Sequence, residues 1–188
     1  KSSIKKDKPI FESDIILPLQ PDDIIIKKAI HEVKAMLSEA KIFLNSEFEV
    51  EYSHHYGIKN FRETGVVIIN VINREYCKKI LVQLPNQMHP AHHHKLKEET
   101  FQILSGSLDA IVDGKKKHLL PGDLCLVLPG VWHSFSTKTG CIFEEISTTH
   151  YNDDSVYRDK MINNLKREKR KTKVNHWGRY ELPYKTSK

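Results

Sequence analysis

The sequence predicts a mainly β domain, a sandwich or barrel, led by an amphipathic helix and followed by a helical tail. Three observations carry this. Short runs rich in β-branched and aromatic residues recur from Phe48 to Ser147, parted by turn residues. Asp113-Gly114 is a hairpin signal between two of them. One stretch near the start instead repeats its apolar residues every three or four positions.

Residues 1–20 are broken by Pro9 and Pro18 and read as an extended arm or linker. A helix is expected to begin at Asp22 or Asp23, just after Pro21. Ile26, Ile30, Val33, Leu37, Ala40 and Leu44 then form one apolar stripe. The stripe must be buried, against the barrel or against a second subunit, and a homodimer is expected. Phe48–Ser53 alternates as a strand should. His54 and His55 follow it; adjacent histidines on a strand would point to opposite faces, so a loop near a pocket mouth suits them better. Residues 65–72 (GVVIINVI) are nearly all apolar, as in a strand buried on both faces. Further strands are expected at 77–84, 100–104, 108–112, 116–119, 124–128, 133–136 and 141–147. Residues 21–150 thus form the domain. Residues 151–188 are expected to add a helix over 154–171, with apolar Val156, Met161, Ile162 and Leu165, and an irregular tail holding His176, Trp177, Tyr180 and Tyr184.

Composition narrows the classes. A chain of 188 residues, 39% hydrophobic and 29% charged, suits one globular domain with small extensions. No apolar run approaches the about 20 residues of a membrane helix, so no membrane partner is expected. The net charge of +6 gathers at the ends, notably Lys166, Arg167, Lys169, Arg170, Lys171 and Lys173. No aromatic residues interleave with that run, so it reads as a solvated helix end and not a nucleic-acid site. Cys77, Cys125 and Cys141 lack metal-type spacing and read as reduced, buried thiols of a cytoplasmic protein. The chain opens on Lys1, so a fragment or processed chain is expected.

The chemistry concentrates in residues 89–106, HPAHHHKLKEETFQILSG. On a strand, His92 and His94 share a face. Glu99 lies an odd number of residues beyond, so a turn or bulge must intervene before its carboxylate can join them. A second stretch, 122–133 (GDLCLVLPGVWH), supplies His133. Three imidazoles and one carboxylate are a seat for a divalent ion: Mn²⁺, Fe²⁺, Ni²⁺, Co²⁺ or Zn²⁺.

These two stretches resemble the paired motifs of the cupin superfamily. The first has HxH, then Glu, six residues and Gly; only Glu99, not Glu98, leaves six residues before Gly106. In the second, Gly122, Gly130 and His133 match, while Leu128 stands where proline is usual and Thr137 where Asn is frequent. The resemblance implies a double-stranded β-helix, or jelly roll. SHHYGIKNF, INREYCKK, HPAHHHKLKEETF and FEEISTTH further resemble the cupin module that ends some long N-acetylneuraminate synthase-like proteins. His92, His94, Lys97 and Glu99 also match the motif of D-lyxose isomerase, with Lys95 in place of a tryptophan and Thr100 in place of an acidic residue.

The likeness to D-lyxose isomerase implies an aldose–ketose isomerase with a sugar substrate and a metal held by His92, His94, Glu99 and His133. Lys97 shares the parity of Glu99 and would point inward to orient or protonate a substrate oxygen. In residues 141–147, Phe143, Glu145 and Ser147 share the more polar face, which makes Glu145 the preferred base and Glu144 the fallback. His89 would stand behind the metal ligands, and Phe101 and Phe135 would line the pocket. The rival expectation is a non-catalytic cupin that binds a sugar or helps a parent synthase assemble; an oxygenase is a third reading.

Overall fold

Residues 21–44 and 48–174 are described in the computed structural model of the chain. Twelve strands occupy them: β1 (Glu49–Ser53), β2 (Val66–Asn73), β3 (Tyr76–Gln83), β4 (Met88–His94), β5 (Glu99–Gly106), β6 (Leu108–Val112), β7 (Lys115–Leu119), β8 (Leu124–Val127), β9 (His133–Ser136), β10 (Cys141–Thr148), β11 (Ser155–Tyr157) and β12 (Lys171–Val174). They form two antiparallel sheets, in the order β12-β1-β2-β3-β10-β5-β8 and β11-β4-β9-β6-β7. Asp113 and Gly114 both take positive φ and join β6 to β7 as a tight hairpin.

Between the sheets, one end is filled by side chains such as Phe101, Ile103, Leu108, Phe135 and Phe143. The larger sheet also needs cover on its outer face, and α1 (Pro21–Glu39) supplies it. Ile26, Ile30, Val33 and Leu37 are buried against Val67, Ile69, Ile80, Val82 and Ile142. This explains the unbroken apolar run of β2: Val66 and Ile68 face the interior while Val67 and Ile69 face the helix. The helix stops at Glu39, before the end of the apolar stripe. Lys41 turns left-handed and the Ile42 N–H donates to the Leu37 carbonyl at 2.9 Å. Ala40 and Leu44 continue to pack from the loop. The stripe is therefore used inside the chain, and the case for a dimer that rested on it falls away.

The segment after Thr149 differs from the expected single helix over 154–171. It runs as β11, α2 (Lys160–Asn164), α3 (Arg167–Arg170) and β12. Backbone pairing to β4 and to β1 wins over helix propagation at the two ends. Of the four apolar residues expected to pack from one helix, only Ile162 is fully buried and Met161 is exposed. The arm at 1–20 and the aromatic tail beyond Val174 lie outside the described residues. No described helix is long and apolar enough to cross a membrane.

Ile30 is 2% exposed in the core under α1. Ile30→Ala should lower unfolding stability by about 2–5 kcal/mol, read from urea denaturation, without changing the molecular mass by light scattering. A shift to a smaller species would mean that the stripe serves an interface after all.

Candidate metal centre

Sheet pairing brings the four motif residues together beside the aromatic core, with the Phe101 ring 6.2 Å from that of His133. His92 on β4 and His133 on β9 are direct cross-strand partners. His94 closes β4. The turn that the odd spacing demands runs over 95–98 and delivers Glu99 to the start of β5, on the facing sheet. One ligand atom from each of His92, His94, Glu99 and His133 lies within 4.8 Å of all the others, and all four residues are buried. Gly106, which ends the first motif, is fixed by close approach: a Cβ there would sit 2.2 Å from the Gly140 carbonyl oxygen.

The imidazoles are oriented from behind. His92 Nδ1 lies 3.0 Å from the Pro90 carbonyl and His133 Nδ1 lies 3.0 Å from the Val131 carbonyl. A carbonyl only accepts, so each Nδ1 donates and each Nε2 keeps its lone pair for the cavity. His94 Nδ1 meets Ser155 Oγ at 3.2 Å, with Asp154 Oδ2 at 3.6 Å. The His133 Nε2 lone pair then stands 2.8 Å from Glu99 Oε1, and neither atom has a hydrogen-bond partner among the described residues. A lone pair and an anionic oxygen so close, both buried, repel unless a cation lies between them. The donor set therefore fits a divalent metal.

Protonation favours the same use. Burial holds His92 well below the ordinary range and takes His94 down to about 4. Burial alone would raise the Glu99 carboxyl, but the neighbouring Lys97 ammonium overrides it and brings it to about 2. At neutral pH His92 and His94 are therefore neutral imidazoles beside a Glu99 carboxylate.

Residues 80–143 match the model of the cupin domain. The chain carries a cupin domain. The likeness extends beyond that span. A D-lyxose/D-mannose isomerase from Thermosediminibacter oceani is 24% identical over 74% of this chain and 94% of its own length. A D-lyxose ketol-isomerase from Thermofilum sp. is 26% identical over 75% of this chain and 95% of its own. Among solved structures, the L-ribose isomerase of Acinetobacter sp. DL28 in complex with L-ribose aligns with a TM-score of 0.62 at 11% identity, over 75% of this chain and 94% of that one. The Cellulomonas parahominis L-ribose isomerase with L-psicose gives 0.61 at 12%, over 75% and 94%. At those identities the structural likeness establishes the cupin jelly-roll fold.

The cupin cavity holds about 220 Å³ beside the cluster. Phe101, Phe135 and His89 line it, the His89 ring stacked on Phe135 at 4.6 Å and 4.5 Å from that of His92. Lys97 and Glu145 line it too, both buried, whereas Glu144 faces outward and pairs with Lys78 at 2.7 Å. Lys97 sits in the turn, not on the strand. The Asp154 carboxylate holds that turn by accepting from the Leu96 and Lys97 N–H groups at 2.8 and 3.1 Å. Lys97 Nζ donates to Glu145 Oε1 at 2.7 Å and also contacts Glu99 Oε2.

Four participants were not anticipated. Lys79 Nζ donates to Glu145 Oε1 at 3.2 Å; a lysine in the apolar run CKKILVQ, in phase with Leu81 and Gln83, was the available signal. Asp154 had no sequence signal at all. Arg167 and Lys171, from the basic run read as solvated, turn into the cavity mouth and grip Glu51.

Purified protein should carry about one divalent first-row ion per chain by elemental analysis. The double change His92→Ala and His94→Ala should remove it; equal metal in that variant would place the ion elsewhere.

Acid should act on stability before it acts on the cluster's carboxylate. Burial takes His55 and His150 from 6.5 to about 3 in the fold. Below 6.5 the unfolded chain binds protons that these folded imidazoles refuse. Their contribution is thus complete above 6.5 and is lost as pH falls toward about 3. Urea midpoints of metal-free protein should drop steadily between about pH 7.5 and 5; a flat profile would contradict the burial of neutral histidines.

Proposed function

We propose that this cupin is a metal-dependent sugar isomerase that interconverts an aldose and a ketose. The observation that carries the reading is that one ammonium joins the candidate metal cluster to a buried carboxylate able to act as base: Lys97 touches both Glu99 and Glu145. A binding module needs no carboxylate held ionised beside its ligand cluster. The coverage of D-lyxose isomerase relatives nearly end to end supports the same reading.

Moving a carbonyl between neighbouring carbons requires a proton to pass from one carbon to the other and the hydroxyl proton to pass between their oxygens, while negative charge collects on those two oxygens. His92, His94, Glu99 and His133 would hold a divalent ion, which would supply Lewis acidity toward those oxygens. Glu145 is the base. Burial would raise its carboxyl, but Lys79 and Lys97 hold it well below the usual range, so it enters the reaction as a carboxylate. Its Oε1 accepts from both lysines and from Ser147 Oγ at 3.2 Å. The other oxygen carries none of these three and is left to face the sugar carbon. The same lysines make it a weak base, so the carbon must be acidified through its oxygens. Lys97 serves that end. Burial would lower its ammonium, but Glu145 and Glu99 raise it strongly, so it keeps its proton and steadies oxyanion charge. Phe101 and Phe135 keep water from the reacting carbons.

The sequence likeness to modules of N-acetylneuraminate synthase-like proteins supports a place in surface-sugar metabolism, with a cytoplasmic site of action. Exchange of C1 or C2 hydrogen with deuterated water, followed by NMR across lyxose, xylulose, mannose and fructose, tests the activity. Glu145→Gln should keep its metal and lose about a hundredfold or more in exchange rate. Lys97→Met should slow exchange without releasing metal. Wild-type protein that holds metal and exchanges no hydrogen in any sugar would favour the sugar-binding or assembly module instead.

A further inference from the structure

The cavity has two halves of different electrical character. In the inner half Lys79 and Lys97 meet Glu99 and Glu145, two cations against two carboxylates. In the outer half Arg167, Lys171 and Lys173 meet two carboxylates among the described residues, Glu49 and Glu51, and Arg167 also donates to Asn152 Oδ1. Glu51 serves two cations at once: Arg167 Nη2 reaches its Oε2 at 3.0 Å, and Lys171 Nζ its Oε1. A further cation stands behind. The Arg170 guanidinium lies 5.4 Å from the centre of the Tyr157 ring, which lines the cavity, and its Nε is buried without a hydrogen-bond partner among the described residues.

The halves lie along one row of the sheet. Cross-strand pairing runs Glu145, Lys79, Asn70, Glu49 over β10, β3, β2 and β1. Glu49 therefore sits three strands from the candidate base, and Lys171 and Lys173, on β12, sit four strands from it, across the space a sugar would fill.

We infer that the outer half binds an anionic substituent of the sugar, a carboxylate or a phosphate, at the end remote from the reacting carbons. The reacting end rests on the isomerase reading; the anionic end rests on the uneven charge. A neutral aldose has nothing with which to balance the third cation. Glu51 already shows what the fork of Arg167 and Lys171 accepts, because it is itself a buried carboxylate held there. Lys171 is under-compensated in that pairing. Burial lowers its ammonium to about 8, with Glu51 opposing and Arg167 and Lys79 adding to the fall. A second anion would relieve it.

The test uses metal-loaded full chain and three ligands: D-mannose, D-mannuronate and D-mannose 6-phosphate. Calorimetry gives affinities and hydrogen exchange gives turnover. One or both anionic sugars should bind at least about tenfold tighter than mannose, and which of them does so names the group. Arg167→Gln and Lys171→Met should each shrink that ratio toward one. Lys173→Met, at a half-exposed position, keeps the test open if Lys171→Met does not fold. Equal affinity for all three sugars in wild type overturns the inference. So does a preference that survives in every folded variant, since the anion would then sit on the metal. Preferential anion binding without any hydrogen exchange would instead sink the isomerase reading and leave the anion site standing.

Discussion

The ammonium of Lys97 lies between two buried carboxylates, and the rest of the site is arranged about it. An isolated charge so deep would be costly, so each member exists only because the others do. Lys97 helps to hold both the Glu99 and the Glu145 carboxyls ionised. Lys79 adds the second cation that makes the set neutral. The fold supplies each part from a different place: β3 carries Lys79, β10 carries Glu145, β5 carries Glu99, and a turn holds Lys97. That turn is tied down by Asp154, which arrives from the far end of the described chain. A change at Asp154 would thus reach the cavity through the backbone of 95–98 without touching a ligand.

The C-terminal segment is part of the working barrel. β11 extends the smaller sheet beside His92 and His94, and β12 extends the larger one beside Glu51. Through these short strands it sets Ser155 against His94 and closes the mouth with Arg167 and Lys171. The jelly roll supplies the floor of the cavity, and this segment lines its mouth.

Much of the floor was legible in the sequence. His92 and His94 alternate on a strand, Glu99 needs a turn, and His133 closes a second motif; each is a local pattern with a period or a spacing. The choice of Glu145 over Glu144 followed from strand parity, because the polar face of β10 turns inward. The α1 stripe was legible as a buried face, but periodicity cannot say which surface buries it, and the barrel took it. What stayed hidden was long-range. β11 and β12 are three and four residues long, too short to show alternation. Lys171 and Arg167 read as solvated because sequence cannot reveal Glu51, 116 to 120 positions away, as their partner. Asp154 acts through backbone N–H groups, which no side-chain pattern announces.

The central claim is that one metal ion occupies the point where three Nε2 atoms and the Glu99 carboxylate converge, with Lys97 and Glu145 beside it. Anomalous diffraction from crystals of metal-loaded protein, recorded at the absorption edge of the ion found by elemental analysis, measures this directly. The account predicts a single strong peak bonded to His92, His94, Glu99 and His133, with the Nδ1 contacts to the Pro90 and Val131 carbonyls intact and Glu145 outside the coordination sphere. A peak ligated by Glu145, or one outside this cavity, would contradict it.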